Sequence, residues 1–122
     1  MKHPMLLAAA AVAMAPVAPL AAHHGWAWAA DEEFALDGVV ISVRERNPHG
    51  EMQLKTASGA WTVEIGQPWR NAQAGLTTGS LKPGVALRVH GHRSANKAQR
   101  LMKAERIVIG AKSYNLYPDR PS

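Results

Sequence analysis

Six histidines and no cysteine set the chemistry open to this 122-residue chain. Without thiolates, a metal ion can be held only by imidazole, carboxylate, thioether or backbone groups, which narrows the choice of ion. Five of the histidines lie beyond the first 22 residues: His23, His24, His49, His90 and His92. Their placing is uneven, with an adjacent pair, one in an Asn-Pro-His-Gly turn, and two separated by a single glycine. A chain cut after Ala22 would give His23 both a free α-amine and an imidazole. Those two nitrogens can close a chelate ring on one ion, the beginning of a histidine brace. With a further imidazole the donor set becomes the planar, nitrogen-rich one that Cu(II) prefers, and the affinity order of divalent ions also favours copper. His24 would add an adjacent amide and ring. His90 and His92, two apart on a strand, would share a face and could meet one ion.

Each of these residues also has a plainer reading. Outward-facing strand histidines are ordinarily solvated. His49 can cap backbone groups of its turn, and a terminal pair can belong to a loose tail. Met52 offers a thioether to Cu(I), but it fits the alternation of a strand, and packing is the expected role. Asp31, Glu32 and Glu33 read as a solvated acidic face rather than an acid/base pair. No nucleophile-elbow, HExxH, P-loop or GxGxxG string occurs, so no reaction is specified. A brace-type copper oxidase would need a flat substrate surface and an axial partner that the sequence does not identify.

The proposed processing rests on residues 1–22. Lys2, the apolar run Met5–Ala15, two prolines and Leu20-Ala21-Ala22 follow the basic, apolar and small-residue order of a secretory signal, and the run is too short to span a bilayer. Cleavage after Ala22 is the preferred reading, with Ala21 or a slightly later site as alternatives. Removal leaves 100 residues with 13 basic and 9 acidic groups, a formal charge of +4. That balance is mild and interspersed, so neither a nucleic-acid partner nor a lasting membrane anchor is expected. The expected location is periplasmic or secreted.

The elements that must position the histidines follow from periodicity. Phe34–Val43 is dense in β-branched residues, and Asn47-Pro48-His49-Gly50 ends that first strand. Met52, Leu54 and Thr56 alternate with polar residues as a second strand. Ser58-Gly59 turns the chain into a third, with Trp61, Val63 and Ile65 on one face. Pro68 suits the first position of a short helix over Trp69–Ala74, with Gly75 as its stop. Val85–His92 and Leu101–Ile109 supply two more strands, and the segment from Lys112 is expected to be loosely held. Trp61 and Trp69 are expected in the core, whereas Trp26 and Trp28 would pin the N-terminal segment to the barrel.

Three strands, a helix and two strands predict an all-β fold with one short helix: a small five-stranded Greek-key barrel of the oligonucleotide/oligosaccharide-binding (OB) type. A half-open sandwich is the alternative. The expected organisation is a signal over 1–22, a His/Trp segment over 23–33, a barrel over 34–110 and a tail over 111–122.

The His23-His24 pair, Asn47-Pro48-His49, Trp61-x-Val63-Glu64 with Ile65-Gly66, Leu81-Lys82-Pro83-Gly84 and Val89-x-Gly91 resemble an uncharacterised family of small exported bacterial proteins. The resemblance spans nearly all of His23 to Ile109. It differs at Gly25, where serine commonly follows the pair, and at Gly50, where alanine often follows Asn-Pro-His. The resemblance implies a periplasmic, all-β small domain and no established activity.

Two functional expectations stand side by side. One is metal binding, with copper buffered or delivered through His23 and His24 and the shell completed by His49, His90 or His92. The other is a barrel that binds a small ligand or another periplasmic protein without metal.

Overall fold

In a computed structural model, which describes residues 25–77 and 79–120, six strands and one helix follow in the order β1 (Phe34–Arg44), β2 (Glu51–Thr56), β3 (Gly59–Glu64), α1 (Pro68–Gln73), β4 (Ala86–Arg93), β5 (Leu101–Ile109) and β6 (Lys112–Asn115). The sheet runs β3-β2-β1-β4-β5-β6, and a parallel β3–β5 pairing closes its first five strands into a barrel. The β3–β5 pairing covers edges that an open sandwich would leave exposed, and β6 is left as an edge strand. The expected OB-type barrel is therefore the fold, and each expected strand lies within two residues of its observed bounds.

Alternation builds the core. Met52 and Leu54 on β2, Trp61 and Val63 on β3, Leu87 and Val89 on β4, and Met102 and Ile107 on β5 all turn inward and are buried. Met52, fully buried, is a packing residue. Pro68 opens α1, and Gly75 ends it at φ 91°, a conformation that disfavours any side chain. Trp69 departs from expectation. It is 54% exposed, because α1 turns its other side inward, where buried Asn71 exchanges two hydrogen bonds with Gly66.

The segment beyond Ile109 also departs from expectation. It forms β6 against β5 and buries Tyr114 and Leu116. Its short length and its lysine, serine and asparagine hid an alternation carried by just two large apolar residues. Because Leu116 is 1% exposed, Leu116→Ala is expected to cost about 2–5 kcal/mol, read as a lowered midpoint in urea unfolding. A loss under about 0.5 kcal/mol, the usual size at a surface site, would show that the chain around Leu116 is not part of the cooperative unit.

One irregularity matters most for function. On β4 and β5, His90 pairs with Arg106 but Gly91 pairs with Ala104, so Glu105 is an extra residue bulged out of the ladder. The chain beyond β6 secures it: the Leu116 and Tyr117 N–H groups donate to the Glu105 carbonyl at 2.8 and 3.3 Å. Opposite the bulge, a Cβ on Gly91 would collide with the backbone of Lys103 and Glu105. A glycine is needed there for close approach.

Candidate metal centre

The bulge puts a carboxylate where a regular strand would not. Glu105 is fully buried beside His92, which is 6% exposed. The N-terminal segment then closes over both. Ala29 bridges to Ser94, the Ala30 N–H donates to the Arg93 carbonyl at 2.8 Å, and the Ala95 N–H donates to the Trp28 carbonyl at 2.9 Å. This short pairing along the end of β4 places the Ala30 carbonyl 2.8 Å from His92 Nδ1 and leads on to Glu33.

Three ligand atoms converge as a result. His92 Nε2 contacts Glu105 Oε1 and lies 3.2 Å from Glu33 Oε1. The donor atoms of the three residues all lie within 4.8 Å of one another. Apart from the His92 ring, neither Glu105 oxygen has a hydrogen-bond partner among the described residues. A carbonyl oxygen only accepts, so the hydrogen sits on Nδ1. Nε2 then faces two carboxylates, with a second N–H when the ring is protonated and with a lone pair when it is neutral. Three lone-pair donors facing one point repel unless a proton or a cation lies between them. Burial pushes the Glu105 carboxyl above its ordinary range, and the Glu33 charge adds to this, outweighing the opposing pull of His92 and Arg120.

Trp26 covers the cluster. Its ring meets His92 edge-on at 5.6 Å and Tyr117 at 5.1 Å, with the Arg120 guanidinium 3.8 Å above it. Lys103 Nζ lies 5.2 Å from the same indole and donates to Glu64 Oε1 at 2.7 Å. Trp26 thus ties the N-terminal segment to the barrel.

The sequence-predicted histidines have different surroundings. His92 enters the Glu33–Glu105 cluster. His49 is half-buried, with Nε2 3.5 Å from Glu64 Oε1. His90, although two residues from His92, lies beside Arg88 and Arg106. Burial and those two cations hold its ring below the usual imidazole range, with Glu33 and Asp37 opposing. His23 and His24 lie outside the described residues. Sequence reasoning missed Glu33 and Glu105. Glu33 hid in an acidic run, and the one trace of Glu105 was a glutamate inside the apolar strand Leu101–Ile109.

A family of unknown function (DUF6152) matches residues 9–102. The chain belongs to that family. No curated protein matches it. Among solved structures it is similar to the ZRD-deleted mutant of TiaS in complex with agmatine, with TM-score 0.52 and 16% identity over 70% of this chain and 26% of that one. It is also similar to a chain of the S. pombe Stn1–Ten1 complex, with TM-score 0.52 and 10% identity over 66% of this chain and 59% of that one. A complex of TiaS with tRNA, AMPCPP and agmatine gives TM-score 0.50 and 18% identity over 64% of this chain and 18% of that one. This chain therefore spans less than two thirds of each. At such identities the likeness is one of fold.

Proposed function

We propose that this is an exported metal-binding domain whose described ligands are Glu33, His92 and Glu105. The carrying observation is His92 itself: its Nδ1 is committed to the Ala30 carbonyl, so Nε2 faces two carboxylates. Metal-bound histidines ordinarily donate their second ring N–H to a carbonyl or carboxylate in just this way. One nitrogen and two carboxylates suit a borderline divalent ion, and Cu(II) heads the affinity order for such donors. Glu33, with a half-exposed side chain, leaves one side open for exchange.

In this reading the protein buffers or hands on copper outside the cytoplasm. His23 and His24 immediately precede Gly25 in the sequence. A processed amino terminus at His23 would be able to add nitrogen donors to a site otherwise rich in oxygen. One of the similar TiaS structures holds tRNA, but the proposed function includes no nucleic-acid partner. Support comes from the sequence, in which no two lysines or arginines are adjacent and acids are interspersed among them, whereas nucleic-acid binders cluster such residues on one face or along one helix.

Titration of Cu(II) and Zn(II) into the purified, processed protein is expected to show one site, with copper bound more tightly. His92→Ala is expected to weaken it by about a hundredfold or more, since even outer-shell changes cost ten to a hundredfold. Mass spectrometry of the same sample fixes the first residue. Equal affinity in wild type and His92→Ala would overturn the centre and favour a barrel that binds a ligand or protein without metal.

A further inference from the structure

Beside Trp26 lies a cavity of about 230 Å³, walled by Trp26, His49, Gln67, Arg70, Lys103 and Tyr117, with none of Glu33, His92 and Glu105 in its lining. Charge accounts for most of its character. Lys103 is neutralised by Glu64, which His49 also approaches. Arg70 is the exception: no carboxylate of the described residues lies within 4.0 Å of its guanidinium. Its guanidinium lies 4.7 Å from the Trp69 ring centroid and 4.4 Å from that of Tyr117, while Nη1 donates to the Leu116 carbonyl at 3.1 Å. Its remaining N–H groups have no described acceptor. Gln67 turns its carbonyl oxygen to the Trp69 indole N–H at 3.0 Å, so its amide N–H groups are also without a described acceptor.

We propose that this cavity binds a small organic monocarboxylate, with the carboxylate on the edge of Arg70 and beside the Gln67 amide, and the apolar part against Trp26 and Tyr117. A stacked, pre-oriented guanidinium offers the planar fork that matches a carboxylate. One uncompensated cation selects one negative charge. A phosphate dianion would bring a second charge towards Glu64. A space of this size is below the range of drug-sized ligand pockets and suits a short-chain or single-ring acid. The proposal does not depend on the metal centre, whose ligands lie outside this cavity.

The test is a titration of isotopically labelled protein with sodium propionate, sodium benzoate and inorganic phosphate, following the Trp26 indole and Arg70 side-chain resonances. Saturable shifts with the two carboxylates, and weaker ones with phosphate, are expected. Arg70→Gln should weaken carboxylate binding by about tenfold or more, the size of a lost charge-assisted contact, and Arg70→Lys by less, with Cu(II) affinity unchanged in both. Should Arg70→Gln not fold, nuclear Overhauser contacts from bound propionate or benzoate to the Trp26 and Tyr117 rings decide the matter in wild type. Linear shifts, phosphate binding as tightly as the carboxylates, indifference to Arg70→Gln, or the absence of those contacts would each overturn the proposal.

Discussion

Glu105→Gln is expected to abolish tight metal binding while making the metal-free fold more stable at neutral pH. The two effects share one cause. Glu105 is fully buried, and burial followed by the Glu33 charge raises its pKa above the ordinary 4.5. A raised carboxyl contributes its stability below the unfolded value and loses it as pH climbs through the folded one, because the native state must then hold a charge that the unfolded chain carries in water. Wild-type metal-free protein should therefore weaken as pH rises from about 4.5 towards and past the folded value, whereas Glu105→Gln should show a flatter profile. Metal reverses the comparison, since a cation takes the place of the proton between Glu105, His92 and Glu33.

Two measurements check this. Melting temperatures against pH, with and without Cu(II), should cross between wild type and variant, and the metal affinity of the variant should fall by about a hundredfold. Calorimetry in buffers of different ionisation enthalpy should show proton release on metal binding in wild type, a release that ligand deprotonation requires, and less in Glu105→Gln. A variant no more stable than wild type at neutral pH, with its metal affinity intact, would mean that Glu105 is a structural group and not a ligand.

Most of the barrel was legible in the sequence because period-two alternation and turn residues are local signals. Met52 with Leu54 and Trp61 with Val63 declare an inward face within a few residues of one another. The centre was only partly legible because it is made by a departure from that alternation. No local pattern announces that Glu105 is bulged, since the bulge depends on Gly91 across the ladder and on Leu116 and Tyr117 a dozen residues downstream. His92 was named from the His-Gly-His spacing, yet it differs from His90 because the Ala30 carbonyl reaches one ring and Arg88 and Arg106 surround the other. Glu33 became a candidate ligand only once residues 28–30 had paired along the end of β4. Trp69 shows the converse limit: a large apolar residue beside a helix start says little about which side of a six-residue helix faces the core.

Lys103 and Glu64 carry the second large expectation, because they form an ion pair almost sealed from water on the outer face of a closed barrel. Their side chains are 3% and 10% exposed, and the Trp26 and Tyr117 rings lie 5.2 and 5.7 Å from the ammonium. Removing two charges from water costs more than their attraction readily returns, so the pair is weak evidence for stability, while breaking it strands one charge. Lys103→Met alone is expected to cost about 3–5 kcal/mol, a fall in melting temperature of about 15 °C or more for a domain of this size. Lys103→Met with Glu64→Leu should return to wild-type stability or exceed it. The cycle separates two roles for the outer-face cover. If apolar contact between Trp26, Tyr117 and the barrel is what fastens the N-terminal segment, the double variant keeps Trp26 fluorescence and the metal affinity of His92 and its carboxylates. A double variant as unstable as Lys103→Met would assign the fastening to the charges themselves, and the metal centre beneath Trp26 would be expected to loosen with them.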